Sequence, residues 1–134
     1  MRYFSPEARK TVHEGSRRHA KAIGEAYEVK VDVEIEESAL SLYNEEEVTR
    51  IASESAEKVF GKQNIITTPR LMGSEDIPFY FQHAKGVYAF LGYRNEEKEA
   101  IYFPHHEKFE IDEDYLKFGV ALHVQFALDF LRSS

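Results

Sequence analysis

The sequence predicts an α/β fold, and three segments support that prediction. A helical pattern from Ser5 to about Tyr27 is followed by Val29–Ile35, in which Val or Ile occupies every second position. Alternation with a period of two is typical of a strand with one buried face. Near the end of the chain, Asp112 precedes a second long helical pattern. Helices combined with at least one amphipathic strand indicate the α/β class.

The first helix has a clear start in the sequence. Ser5 is a favourable N-cap, Pro6 suits the first helical position, and Glu7 suits the positive end of the helix dipole. Apolar and small residues then recur at spacings of three and four, which predicts one narrow packed face. The residues on this face are Ala8, Val12, Ser16, His19, Ile23 and Ala26.

Both periodicities disappear between residues 37 and 43, where we expect a connection. Asn44 and Glu47 then match an N-cap and its reciprocal partner, and Gly61 is placed to end the helix that they begin. We therefore predict a domain boundary here, with residues 1–40 in one domain and residues 41–134 in the next.

The middle of the chain contains shorter elements. Residues 65 and 66 predict a short strand, and Val87–Leu91, an apolar run between two glycines, predicts a buried strand. The sequence from Gly73 to about His83 predicts a short helix, in which Pro78 is tolerated only within the first turn.

The last helix is predicted to begin after Asp112, which is followed by two further acidic residues. Its predicted packing face consists of Leu116, Val120, Val124, Ala127 and Leu131.

Composition excludes several classes of protein. The 17 Lys and Arg against 24 Asp and Glu give a formal charge of −7, which opposes binding to nucleic acid or to an anionic membrane. No apolar run is long enough to cross a bilayer, and the first residues do not resemble a secretory signal, so we expect a cytoplasmic protein. The sequence contains no Cys, which leaves His, Asp and Glu as candidate metal ligands.

Two local features have residues suited to chemistry. His105 and His106 follow Pro104 in a predicted loop, where ligands are commonly presented. Taken without a family, adjacent His in a polar loop are more often solvated surface residues than metal ligands. Ser74 and Glu75 lie at a presumed helix start that could bind an anion, or Ser74 could simply cap that helix.

Several segments together resemble the end of the zinc-dependent amidohydrolase family that includes aminoacylases, hippurate hydrolases, carboxypeptidases and auxin-conjugate hydrolases. Met1–Phe4 resembles the end of a Gly-Thr-x-Arg strand in the family's lid domain, and Asn44 lies at a later Asn position of its pattern. Leu71–Asp76 is similar to the Gly-Ser-Glu-Asp-Phe signature, with Ile77 in place of Phe. Pro104–Glu113 is similar to the His-x-x-x-Phe-x-aliphatic-Asp-Glu segment before the last helix.

The resemblance implies a metal ligand and a substrate. In the family, the His four residues before the Phe binds one ion of a two-metal site, which corresponds to His105 before Phe109. The metal would be zinc, or manganese, cobalt or nickel, and the substrate an N-acyl amino acid or peptide. Ser74, Glu75 and His106 are the residues that we predict to bind substrate.

The family's earlier segments, which hold the other metal ligands and the general base, have no counterpart in this sequence. We assign no catalytic residue, and expect the chain alone to be inactive and to bind no metal tightly. The resemblance then implies a truncated enzyme, an internally initiated product, or half of a split enzyme with an N-terminal partner chain. The fold would join the helix–strand remnant of a lid (dimerisation) domain to the C-terminal segments of the catalytic domain, and homo-oligomers are expected.

Two other functions remain open. The chain could be a non-catalytic interaction or dimerisation module whose strand Val29–Ile35 pairs with another sheet, because unpaired strand edges invite pairing. It could also be a self-contained acidic domain that binds no ligand.

Overall fold

The computed structural model describes residues 3–36 and 39–133, which form two compact units. The first unit contains the described parts of residues 1–43 and 69–84, and the second contains residues 44–68 and 85–133. Met1 and Arg2 of the predicted lid strand, and residues 37 and 38 of the predicted connection, lie outside the described residues. The helices are α1 (Pro6–Ala26), α2 (Glu46–Phe60), α3 (Ile77–Phe81) and α4 (Leu116–Ser133), with 3₁₀ turns at Lys62–Asn64 and Glu113–Tyr115.

Helix α1 begins and ends where the sequence predicts. Ser5 is the N-cap, its Oγ accepts a hydrogen bond from the Ala8 amide at 3.1 Å, and Pro6 takes the first helical position. Hydrogen bonds from its own backbone amide and from Ser5 lower the pKa of Glu7. These bonds satisfy amide groups that the first helical turn leaves without a partner in the helix. The prediction of a capped first helix is therefore confirmed.

The chain after α1 folds back over the end of that helix. The Val29 amide donates to the Gly24 carbonyl at 2.9 Å, and a Cβ added at Gly24 would lie 2.5 Å from Cγ2 of Val31. Side chains alternate beyond this point, with Val31, Val33 and Ile35 half-buried and the acidic residues between them exposed. Helix α1 therefore needs a glycine at this crossing.

The segment Val29–Ile35 does not form a strand, so the predicted helix–strand remnant of a lid domain is not confirmed. No strand forms anywhere in residues 3–36 and 39–133, and the pairing that is present is one isolated antiparallel bridge between Asn95 and Ala100. The alternation of apolar and charged residues predicts only which face of a segment is covered. A strand also requires a neighbour that satisfies its backbone groups, and the described residues provide none for this segment.

Helix α2 in the second unit begins one residue later than the sequence predicts. Its N-cap is Glu45, whose carboxylate accepts from the Val48 amide at 2.9 Å, and this bond lowers the pKa of Glu45. Asn44 is not the cap because its amide binds Tyr88 twice. Its Nδ2 donates to the Tyr88 carbonyl at 3.0 Å, and its Oδ1 accepts from the Tyr88 amide at 2.8 Å. Gly61 ends the helix with φ +80°, as predicted.

The predicted strands at Val87–Leu91 and at residues 65 and 66 are also absent from the described structure. The start of the first segment is held by Asn44 and by a 3.0 Å bond from the Glu45 amide to the Gly86 carbonyl. Phe90 and Leu91 are exposed, so this apolar run is not buried as the sequence predicts. The contact with a single asparagine side chain replaces a strand ladder.

Helices α2 and α4 pack together around a buried carboxylate. Asp129 of α4 accepts hydrogen bonds from Ser55 at 2.7 Å and Lys58 at 2.8 Å on α2, and from Gln125 at 3.0 Å on its own helix. The Lys58 ammonium, followed by Gln125 and Ser55, lowers the pKa of Asp129 from 3.8 to about 2. A buried carboxylate is stabilised in this way only when its oxygens are fully hydrogen-bonded.

Helix α4 packs through a different face from the one that the sequence predicts. Leu116, Val120, Val124 and Leu131 of the predicted face are 53%, 65%, 57% and 73% exposed. The covered positions include Leu122, Phe126 and Asp129, which recur at the same helical spacing. Apolar residues lie nearly all around α4, so periodicity could not select the packed face, and the polar bonds of Asp129 select it instead.

Few large apolar side chains are covered in either unit, although the composition predicts a substantial core. Among the described residues the buried hydrophobic side chains are Val48, Ile51 and Ala100. No helix in the described part of the chain is long and apolar enough to cross a membrane.

Candidate functional site

The two adjacent histidines lie in the second unit, in a segment that we call the histidine loop (residues 102–109). The His106 amide donates to the Phe103 carbonyl at 3.2 Å and closes a four-residue turn, with Pro104 second and His105 third. His105 has φ +72°, in the left-handed region. This combination matches a type II turn, whose third position usually holds Gly or Asn. His105 therefore occupies a backbone position that favours glycine.

His105 is strained in its backbone and free in its side chain. A left-handed conformation costs a residue other than Gly about 1–2 kcal/mol. The side chain is exposed, and no described residue donates a hydrogen bond to its ring or accepts one from it. A neutral imidazole with an available ring nitrogen is a good ligand for zinc and similar metals. Strain that is retained at such a residue is a recognised mark of functional sites.

The ring of His106 is already engaged within the loop. Its Nδ1 accepts a hydrogen bond from the Lys108 amide at 3.1 Å, and the ring stacks on Tyr102 with centroids 4.3 Å apart and planes 14° apart. Because an amide can only donate, Nδ1 carries the lone pair, and the proton of the neutral ring lies on Nε2. His106 can therefore donate to a bound molecule through Nε2 but cannot offer that atom to a metal in this arrangement. The two rings therefore differ: that of His106 is engaged within the loop, and that of His105 has no hydrogen-bond partner among the described residues.

One side chain contacts both ends of the histidine loop. The Tyr93 hydroxyl donates to the Tyr102 carbonyl at 2.9 Å, and the Tyr93 ring packs edge-on against Phe109 with centroids 5.6 Å apart. Sequence reasoning missed Tyr93. Its hydrogen-bond partner is a backbone carbonyl, which leaves no signature in the residue pattern.

The loop is followed by a buried carboxylate that ties it to a hairpin turn. Asp112 is 4% exposed and accepts from Lys98 at 2.6 Å and Asn95 at 2.7 Å, and it caps the next turn through the Asp114 amide at 3.1 Å. The hydrogen bond from Lys98, and after it the bond from Asn95, lowers the pKa of Asp112. The bond between Lys98 and Asp112 also raises the pKa of Lys98. Asp112 is a cap as predicted, but it caps the 3₁₀ turn Glu113–Tyr115, and α4 begins at Leu116 rather than at Glu113. Asp112 also anchors the loop's C-terminal side.

Ser74 and Glu75 belong to the first unit, whereas His105 and His106 belong to the second. Ser74 and Glu75 are exposed and lie before α3. The N-cap of α3 is Asp76, which makes no side-chain capping bond. Ser74 is therefore not the cap of this helix, because α3 begins at Ile77, too far along the chain. Pro78 lies in the first turn of α3 and is buried, as the sequence predicts. Substrate binding by Ser74 and Glu75 remains a prediction.

The described residues do not assemble a metal centre among themselves. Within residues 3–36 and 39–133, no three His, Asp or Glu side chains are grouped so that they could hold one ion. The donor chemistry of His105 suits a single ligand of a larger set. The other ligands of such a set would have to come from outside the described residues.

Comparison with known proteins gives a consistent family. The model of Peptidase family M20/M25/M40 matches residues 4–129. Thermostable carboxypeptidase 2 of Saccharolobus solfataricus is 44% identical over 66 residues, which are 49% of this chain and 17% of the carboxypeptidase. IAA-amino acid hydrolase ILR1-like 4 of Arabidopsis thaliana is 36% identical over 73 residues, 54% of this chain and 17% of the hydrolase.

A third relative matches nearly the whole chain. The hippurate hydrolase of Campylobacter jejuni is 29% identical over 133 residues, which are 98% of this chain and 33% of the hydrolase. The chain thus spans between 17% and 33% of the length of these three relatives. No solved structure matches the chain.

Proposed function

Because the chain belongs to Peptidase family M20/M25/M40, a family of metal-dependent amidohydrolases and carboxypeptidases, we propose that it is the C-terminal part of such an enzyme. The substrates we propose are N-acyl amino acids or peptides. Support comes from the relatives, whose names include a carboxypeptidase, a hippurate hydrolase and an auxin-conjugate hydrolase. In this assignment residues 1–40 belong to a lid domain and residues 41–134 to the catalytic domain.

The observation that carries the proposal is the state of His105. Its backbone is held in a left-handed conformation at the tip of a closed turn, and its ring is exposed with no partner among the described residues. We assign it as one ligand of the catalytic metal, with zinc, manganese, cobalt or nickel as candidates. A metal bound there would supply Lewis-acid chemistry toward the scissile carbonyl.

The other proposed residues act on the substrate. The Nε2 proton of His106 points to a donor role toward a polar group of the substrate, since Nδ1 is occupied by the Lys108 amide. Ser74 and Glu75 offer a hydroxyl and a carboxylate for the same purpose. None of these side chains replaces the missing ligands or a general base, so we propose that these 134 residues alone do not catalyse hydrolysis.

A second candidate function is an interaction module built on Val29–Ile35. One specific observation favours it. In this segment Val31, Val33 and Ile35 are half-buried, and no described strand pairs with its backbone. Such a segment could add to a sheet edge of a partner chain.

The test compares the chain alone with a fusion that supplies the rest of the enzyme. The 134 residues replace the matching third of the C. jejuni hippurate hydrolase, and both proteins are assayed on N-acyl amino acids with added zinc, manganese or cobalt. We expect turnover from the fusion, loss of that turnover with a chelator, and none from the chain alone. Chelator-sensitive turnover by the chain alone would contradict its proposed incompleteness. A folded but inactive fusion, beside an active parent hydrolase, would contradict the proposed function.

A further inference from the structure

We propose that Tyr93 is a positioning residue, which holds the histidine loop closed and thereby fixes the direction of His105. The inference rests on the proposed role of His105 as a metal ligand. In this proposal Tyr93 is not itself a metal ligand. It acts through the backbone of Tyr102 and the ring of Phe109.

The two contacts of Tyr93 lie on opposite ends of the loop. Its hydroxyl donates to the carbonyl of Tyr102, the first residue, at 2.9 Å. Its ring packs edge-on against Phe109, the last residue, with an interplanar angle of 84°. A half-buried tyrosine therefore joins two points that are seven residues apart in sequence and confines the turn that carries His105 between them.

Tyr93 is itself held on a fixed support. Two residues later, Asn95 pairs with Ala100 through backbone bonds of 3.0 and 2.9 Å, which close a hairpin turn. The Asn95 side chain then donates to Asp112, which also binds Lys98. These bonds connect the hairpin next to Tyr93 with Asp112, which lies three residues after the histidine loop.

The loop requires such a support because of the conformation of His105. A residue in a left-handed conformation keeps it only when the surrounding structure determines the backbone more strongly than the residue prefers otherwise. Within the loop, the bonds of the His106 and Phe109 amides define two successive turns. If the ends of the loop separate, both turns open and His105 loses its direction.

The first experiment measures hydrogen exchange of the His106 and Phe109 amides by NMR in the 134-residue chain. Tyr93→Phe keeps the ring and removes the hydroxyl, so we expect both amides to exchange about fivefold faster, the factor expected for one lost hydrogen bond. Tyr115→Phe is the matched control. The Tyr115 hydroxyl is bonded by no described residue, and the side chain lies outside the loop. Equal exchange rates in Tyr93→Phe and the parent chain would overturn the proposal.

The second experiment measures metal affinity and the cobalt absorption spectrum in the fusion with the hippurate hydrolase. We expect Tyr93→Phe to weaken cobalt binding about tenfold, as is typical when support for a ligand is lost, and to shift the spectrum. Tyr115→Phe should change neither, and both variants should melt within a few degrees of the parent fusion. Faster exchange in the chain without any change in cobalt affinity or spectrum would also overturn the proposal.

The same fusion carries a His105→Ala variant, which separates the two hypotheses. If His105→Ala leaves cobalt affinity unchanged, His105 is not a metal ligand. In that case Tyr93 cannot position a metal ligand either, and both proposals are wrong. If His105→Ala loses cobalt and Tyr93→Phe behaves like the parent protein, the ligand is retained and only the positioning role is wrong.

Discussion

A single backbone angle distinguishes His105 from its neighbour. His105 carries a positive φ at the third position of a turn that glycine or asparagine would enter more easily, and its side chain forms no bond with a described residue. In an isolated chain this arrangement lowers stability without compensation from the His105 ring. The strained backbone together with a ring that has no described partner agrees with the proposed ligand role.

This view predicts opposite effects of glycine at the two histidines. His105→Gly should raise the free energy of unfolding by about 0.5–1 kcal/mol, because relief of the left-handed conformation exceeds the entropic cost of glycine. His106→Gly should lower it by about 1 kcal/mol, because the Tyr102 stack and the bond from the Lys108 amide are lost. Urea unfolding of the 134-residue chain measures both. Destabilisation by both substitutions to a similar extent would contradict the strain at His105.

The sequence predicted which histidine to examine but not how the loop is held. His105 could be singled out because it lies four residues before Phe109, a spacing that matches the family segment. Tyr93 could not, because its hydroxyl binds a carbonyl and its ring contact with Phe109 spans sixteen positions. Contacts to backbone atoms leave no pattern of residue types.

At the scale of elements, the crossing of α1 by the following segment gives a direct prediction. Gly24→Ala should lower the free energy of unfolding by about 1–3 kcal/mol, because the added Cβ would lie 2.5 Å from Val31 Cγ2 and 3.0 Å from the Val29 carbonyl oxygen. Gly15→Ala in the same helix is the matched control. It meets nothing within 4 Å and should stabilise the chain by about 0.5–1 kcal/mol. Thermal unfolding that shows stabilisation by both would mean that the segment does not pack on α1.

The helices were predictable and the strands were not, for a physical reason. Caps are local, so Ser5, Gly61 and Asp112 could be assigned from neighbouring residues alone. A strand depends on a partner that can be distant in sequence or absent, and Val29–Ile35 has the pattern without a described partner. The prediction of the packed face of α4 was wrong because hydrophobic periodicity assigns Asp129 to solvent. In the structure Asp129 accepts hydrogen bonds from Ser55 and Lys58, and these bonds determine which face of α4 packs on α2.

At the scale of the whole molecule, much apolar surface is left uncovered in the second unit. Leu116, Val120, Val124 and Leu131 form an exposed stripe along α4, and Phe103 in the histidine loop is 83% exposed. The family fold is α/β, whereas the described residues are helical, and the chain spans at most 33% of the three relatives compared. These observations favour a larger fold that would cover the stripe. Homo-oligomers and an N-terminal partner chain stay predictions.

The central claim, that this chain supplies His105 to a metal site, is tested most directly by metal content. The fusion with the C. jejuni hippurate hydrolase, its His105→Ala variant and its His106→Ala variant are dialysed against a weak chelator, and bound zinc is measured by elemental analysis. Our account predicts that His105→Ala loses bound zinc and nearly all activity, while His106→Ala retains the zinc of the parent fusion and loses activity only modestly. Retention of the parent fusion's zinc by His105→Ala would contradict the account.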